Sequence, residues 1–394
     1  MFAKNMVELG QKRSTIREIF EYGKKRAAEI GAENVYDFSI GNPSVPAPDC
    51  VRRAVISVLD TEGPVSAHSY TSAQGDYGVR AAMAEDLNSR FGTHFHADNF
   101  YMTVGAAAAL SCCFKALSEP GDEFIAIAPF FPEYQCFVEK GAGARLVVAE
   151  ADTAAFQINF ERLEAAITPH TKAVIINSPN NPSGAVYSVK TIQTLAALLT
   201  EKSAAFGRPI FLISDEPYRE LVYGGIRVPF ITKYYKNTLV CYSYSKSLSL
   251  PGERIGYVLV PDELEDAKTA YAAICGAGRS LGYVNAPSLF QRVAAACAGQ
   301  TADLAVYEKN RDLLYEGLVS LGFSCVKPEG AFYIFPRSLE PDASAFCLRA
   351  RKYDLLLVPG DDFGCPGHVR ISYCVPTSRI EQALELFKRL AQEY

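Results

Sequence analysis

Apolar and polar positions along the chain follow two rhythms. Between Thr15 and Ile30, the residues Ile16, Ile19, Phe20, Ala27 and Ile30 recur near helical spacing, which predicts an amphipathic helix. The prolines of Gly41-Asn42-Pro43-Ser44-Val45-Pro46-Ala47-Pro48 then break regular structure. Beyond them, short unbroken apolar runs predict strands at 124–128, 145–148, 173–176, 210–213, 238–242 and 256–260. Helical patterns lie between several of these, notably at 188–206. Unbroken hydrophobicity is expected of strands covered on both faces. Strand and helix in alternation predict an α/β domain with a mostly parallel sheet.

After residue 260 the rhythm changes. Segments 261–277 and 286–322 predict mainly helix, with 307–321 amphipathic. Short strands are expected at 331–335, 355–358 and 369–373, and a last helix at 378–392. This mixture predicts a second, smaller α+β unit.

Composition narrows the class. A chain of 394 residues, 49% hydrophobic, favours two or three domains and can bury a core without disulfides or metal. Thirty-nine basic against 44 acidic residues leave no basic excess to track a phosphate backbone, so nucleic acid is not an expected partner. Eleven cysteines, an odd number with no C-x-x-C pair, point to reduced thiols in the cytoplasm. Residues 1–20 mix Lys, Arg and Glu and show no apolar core of a secretory signal. No run of eighteen apolar residues predicts a membrane span.

Several catalytic templates are missing: there is no GxGxxG, no GxxxxGK[ST] and no HExxH. His94-Phe95-His96 is the one close histidine pair, and without a third ligand it is expected to be solvated rather than metal-bound. Gly278-Arg279-Ser280-Leu281-Gly282 spells G-x-S-x-G, with Asp361, Asp362 and His368 following in hydrolase order. A nucleophile elbow needs a strand running into the serine, and the pattern at 266–275 is helical.

A stronger signal is a series in order. Asn177-Ser178-Pro179-Asn180-Asn181-Pro182-Ser183-Gly184 follows one predicted strand and Asp215-Glu216-Pro217-Tyr218 the next. Ser243-Tyr244-Ser245-Lys246 follows a third, and Gly252-Glu253-Arg254-Ile255-Gly256 comes after it. Taken singly, these are turn formers, a helix cap and surface cations. Together they put an amide, a carboxylate, a phenol, an amine and a guanidinium at successive strand ends, where open α/β sheets bind ligands.

From the Gly41 loop to Arg370 this series resembles the class I/II aminotransferases of fold type I, which use pyridoxal 5′-phosphate. The resemblance implies a mostly parallel seven-stranded-type sheet flanked by helices in a large cofactor-binding domain, expected at 46–289. Residues 1–45 together with 290–394 would form the small domain. It also implies ping-pong transfer of an amino group between an L-amino acid and a 2-oxo acid, through the pyridoxal and pyridoxamine forms of the cofactor.

Residue by residue, the resemblance makes Lys246 the amine that joins the cofactor aldehyde and then moves a proton at the substrate α-carbon. Asp215 would hold the pyridine nitrogen protonated, so that the ring acts as an electron sink. Asn181 and Tyr218 would donate to the ring's phenolate oxygen. Ser243, Ser245, Arg254 and the backbone N–H groups of Ala106 and Ala107 would hold the phosphate. Tyr70 would reach the phosphate of a neighbouring subunit, implying a homodimer. Phe131 matches the aromatic that stacks on the ring; many relatives use Trp there, and this chain has none.

Arg370 would grip the substrate α-carboxylate, with Gly41 and Asn181 beside it. Ala107 stands where some aspartate-using relatives carry a lysine, so a second substrate carboxylate loses that cation. Arg279 from a partner chain could replace it, and aromatic or small neutral amino acids are equally open. Two alternatives share these motifs: a pyridoxal-phosphate lyase such as a C–S β-lyase, and a non-enzymatic regulator. The regulator would normally carry a fused DNA-binding module, for which about forty residues before Gly41 leave little room.

Overall fold

The computed structural model describes residues 2–11 and 14–394. Its strands are β1 (Tyr36–Asp37), β2 (Phe100–Thr103), β3 (Glu123–Ile127), β4 (Arg145–Ala149), β5 (Thr171–Asn177) and β6 (Phe211–Asp215). They continue with β7 (Thr238–Ser243), β8 (Gly256–Leu259), β9 (Tyr333–Ile334), β10 (Leu355–Leu356), β11 (Val358–Pro359) and β12 (Val369–Ser372).

Seven strands form one sheet in the order β2-β8-β7-β6-β5-β3-β4. Only β8 runs against its neighbours, so the sheet is mostly parallel. The alternation of side chains explains why its strands read as unbroken apolar runs. Phe124, Ala126, Ala173, Ile175 and Ile213 point to one face, packed by helices Ala106–Leu117 and Ala267–Ser280. Ile125, Ile127, Val174, Ile176 and Leu212 point to the other, against Val189–Phe206. That helix starts where Ser188 accepts a hydrogen bond from the Thr191 N–H and ends at Gly207 in the left-handed region.

The chain ends come together on a second core. β9, β11 and β12 make a small antiparallel sheet, and β1 pairs in parallel with β10. Helices Ala305–Ser320 and Thr377–Ala391 bury Tyr307, Leu314, Phe387 and Leu390 against it.

Three details depart from the periodicity. The apolar run 355–358 is two strands, because Leu355–Leu356 pairs with β1 while Val358 turns to Arg370. Strand β2, only four residues after a polar histidine-containing loop, is too short to stand out as a pattern. The expected helix 286–322 is interrupted between Ser288–Ala296 and Ala305–Ser320. Ser280 closes helix Ala267–Ser280, so no strand enters the G-x-S-x-G segment.

Candidate active site

Asn177, Asp215 and Ser243 end three adjacent strands, and the register sets Asn177 beside Asp215 and Asp215 beside Cys241. The polar groups after these strands therefore converge on one edge of the sheet. There they line a cavity of about 290 Å³. Gly41, Ala106, Ala107, Phe131 and Asn181 line it, as do Asp215, Tyr218, Ser243 and Ser245. Among the described residues, Lys246, Arg254 and Arg370 are the cations on its wall. Tyr70 lies elsewhere, 94% exposed.

Asp215 sits at the base. Tyr134 Oη donates to its Oδ2 at 2.6 Å, and Asn177 Nδ2 donates to its backbone carbonyl at 2.8 Å. Oδ1 is buried and meets no hydrogen-bond partner among the described residues. Burial lifts the carboxyl to about 7; the Tyr134 hydrogen bond opposes that rise and neighbouring Glu216 adds to it. Glu216 is equally buried but turns away, taking hydrogen bonds from Ser214 Oγ at 2.7 Å and Arg219 Nε at 2.5 Å. That ion pair braces the turn carrying Asp215 and Tyr218.

Lys246 follows β7 in the short helix Tyr244–Ser247. Its Nζ donates to the Gly41 carbonyl at 2.7 Å. Burial lowers this amine to about 8; Arg254 and Arg370 act in the same direction, against Cys374. A neutral amine, the nucleophilic form, is thus within reach near neutral pH.

At the opposite wall, Gly105 opens helix Ala106–Leu117 at φ +88° and caps it with no side chain. A Cβ on Gly105 would lie 2.7 Å from Arg254 Nη2, so glycine lets the guanidinium close on the helix end. Ser243 and Ser245 hydroxyls lie 2.8 Å apart on the same wall. A helix N-terminus, a guanidinium and two hydroxyls make a cradle for a phosphate.

Arg370 is 2% exposed on β12. Nη1 donates to Asn181 Oδ1 at 3.1 Å and Nη2 to the Ser39 carbonyl. The rings of Tyr333 and Phe363 cover the guanidinium at 4.8 and 5.0 Å. Nε is buried without a partner among the described residues, and burial lowers the pKa of the group.

These groups fit pyridoxal 5′-phosphate. The orphaned Asp215 Oδ1, with its raised carboxyl, lacks the cation that a protonated pyridine nitrogen would supply. The phosphate cradle and the amine of Lys246 face the same space. Motif reading missed Tyr134, Tyr333, Ile16 and Ile40 at this site. Neither Tyr134 nor Tyr333 carries a local signal, since each acts on a residue far along the chain.

Arg279, at the end of helix Ala267–Ser280, is exposed and outside the cavity. His96 Nε2 lies 2.9 Å from Asp262 Oδ2, at the surface.

Comparison with known proteins follows the same lines. The sequence model described as aminotransferase class I and II matches residues 33–387. The aspartate/prephenate aminotransferase of Thermus thermophilus is 32% identical over 354 residues, 89% of each chain. The aspartate aminotransferase of Geobacillus stearothermophilus is 32% identical over 387 residues, 94% of each chain. A crystal structure of an amino transferase from Eubacterium rectale superposes with a TM-score of 0.98 at 61% identity, covering 100% of this chain and 99% of that one.

Proposed function

The chain belongs to the class I and II aminotransferases, pyridoxal 5′-phosphate enzymes, and on that premise we propose the residues, route and assembly through which it works. We infer a ping-pong exchange between an L-amino acid and a 2-oxo acid, in which the first oxo acid leaves before the second binds. One observation carries the site reading: the unpartnered Asp215 Oδ1 and the unpartnered Arg370 Nε belong to side chains lining the same cavity. Such buried, unmet polar atoms are rare in folded proteins unless a ligand completes them.

In this reading Lys246 holds the cofactor covalently, and Asp215 keeps its ring nitrogen protonated. Asn181 and Tyr218 donate to its phenolic oxygen, and Phe131 covers the ring. Ser243, Ser245, Arg254 and the N–H groups of Ala106 and Ala107 hold its phosphate. The bound cofactor supplies an electron sink for the bond broken at the substrate α-carbon. Arg370 orients the donor by its α-carboxylate, with Asn181 and the Gly41 loop beside it. Lys246, which lines the same cavity as Arg370, would be the base that takes the proton from the substrate α-carbon and the acid that gives it back.

The exposed Tyr70 supports a homodimer in which it completes the neighbouring phosphate site. Asn285 Nδ2 donates to the Thr71 carbonyl at 2.9 Å and so ties that segment to the chain beside exposed Val284. We also infer a large domain over 46–289 and a small one from 1–45 with 290–394, supported by the pairing of β1 with β10. Eleven cysteines, all free, suit a cytoplasmic enzyme.

A donor panel of Asp, Glu, Ala, Tyr and Phe, each with 2-oxoglutarate or pyruvate, tests the reaction. Production of the matching oxo acid only when an acceptor is present supports it. Ammonia and pyruvate released from a cysteine-type substrate without an acceptor, with loss of its sulfur group as a thiol, would make the enzyme a C–S β-lyase.

A further inference from the structure

Tyr333 lines the cavity, and the reading above gives it no task. It stands on β9, paired to Ser372, and is 3% exposed. Its hydroxyl lies 3.0 Å from the Tyr218 hydroxyl, with the rings edge to face at 5.8 Å. Its own ring covers the Arg370 guanidinium at 4.8 Å. The hydroxyl also explains the glycine at position 41, where a Cβ would lie 1.8 Å from it. Tyr333 therefore touches the loop, the carboxylate-binding arginine and the phenol assigned to the cofactor.

A phenol carries one proton to donate. Among the described residues, the Tyr333 hydroxyl meets one hydrogen-bond partner, Tyr218. Tyr218 has two directions to choose between: Tyr333, or the cavity where the cofactor's anionic oxygen would sit. Were Tyr218 to donate to Tyr333, it would have nothing left for that oxygen. With Tyr333 as donor, both bonds run the same way and polarise each other. The Arg370 cation over the Tyr333 ring draws charge from the phenol and makes it the better donor of the two.

We propose that Tyr333 is a positioning residue whose hydroxyl donates to Tyr218 and aims the Tyr218 proton into the cavity. The proposal rests on the reading of Tyr218 as a donor to the cofactor, and the test separates the two.

The holoenzyme, Tyr218→Phe, Tyr333→Phe and the double variant are titrated by the visible absorbance of the bound cofactor. A donor at the cofactor oxygen favours the more negatively charged form, so its loss raises the pH midpoint. Tyr218→Phe is expected to raise it by about one unit, and Tyr333→Phe by roughly 0.3–0.5. The double variant should match Tyr218→Phe alone, because Tyr333 acts through Tyr218.

An unmoved midpoint in Tyr333→Phe beside a moved one in Tyr218→Phe overturns the proposal, as do shifts that add in the double variant. A lowered urea midpoint with an unmoved spectral midpoint would assign Tyr333 to packing, and also overturns it. No shift in Tyr218→Phe removes Tyr218 from the cofactor, a distinct failure that takes the proposal with it.

Discussion

The Tyr134 hydroxyl donates to Oδ2 of Asp215 across 2.6 Å, while Oδ1 of the same carboxylate stays buried and unmet by any described residue. One oxygen is anchored and the other faces no donor among the described residues. Anchoring matters because a fully buried carboxylate depends on its donors for both its charge and its direction. Tyr134 is the closer of two, Asn177 Nδ2 standing 3.5 Å from the same oxygen. Tyr134→Phe is therefore expected to raise the Asp215 carboxyl further and to weaken cofactor binding about tenfold or more, the value of one hydrogen bond to a charged group. Equilibrium dialysis of the cofactor measures this. An unchanged dissociation constant would remove Tyr134 from the site.

The raised Asp215 carboxyl has a consequence for stability in the cofactor-free protein. Unfolded, the group releases its proton near 3.8; folded, it does so at about 7. The folded state holds the extra proton between those values, so the contribution of this group to stability is greatest below 3.8 and falls as pH rises to about 7. The loss is on the order of 4 kcal/mol, and Asp215→Asn should abolish it. Urea unfolding of both cofactor-free proteins at about pH 4.5 and pH 7.5 compares the slopes. Identical pH dependence would mean that Asp215 is ionised at no cost.

Lys246 acts as a nucleophile only when neutral, and its amine is lowered to about 8. Covalent capture of pyridoxal 5′-phosphate by the cofactor-free protein should accelerate about tenfold per pH unit below 8 and level off above it. Stopped-flow absorbance reads the rate. Lys246→Ala should show no covalent label after borohydride reduction, and a retained label would move the attachment point to another residue.

Arg370 offers a planar fork that a lysine cannot reproduce. Arg370→Lys is expected to weaken binding of an amino-acid donor by roughly 10–100-fold while leaving cofactor affinity within about threefold, the difference between a bidentate and a single charged contact. Titrations of both ligands decide it. Equal losses would mean that Arg370 supports the cavity as a whole rather than the substrate carboxylate.

Much of the site was legible because its chemistry needs particular residue types at the ends of strands, where each motif is contiguous in the chain. Asn181, Asp215 with Tyr218, and Lys246 could be read that way, and the structure gathers them around one cavity. The supporting residues were not legible. Tyr134 reaches Asp215 across 81 positions, and Tyr333 reaches Tyr218 across 115. No local pattern distinguishes such a phenol from a core aromatic. The same holds for the adjacent acids Asp215 and Glu216: composition treats them alike, and the buried Arg219 claims the second.

By itself, the sequence determined the alternation of apolar runs and helices, and with it a mostly parallel sheet whose carboxyl-terminal ends carry polar groups. Periodicity is a local property, and the burial of the central strands on both faces is written in their own residues. Strand β4, by contrast, reads as the same kind of apolar run and, at the sheet edge, leaves Arg145 and Val148 exposed. Tertiary structure alone decided the strand order, the division of 355–358 between two sheets, and the approach of Arg370 to Asn181 across 189 positions and to Ser39 across 331. Those contacts depend on how separate elements pack, and packing is settled by the fit of whole faces rather than by the residues next in line.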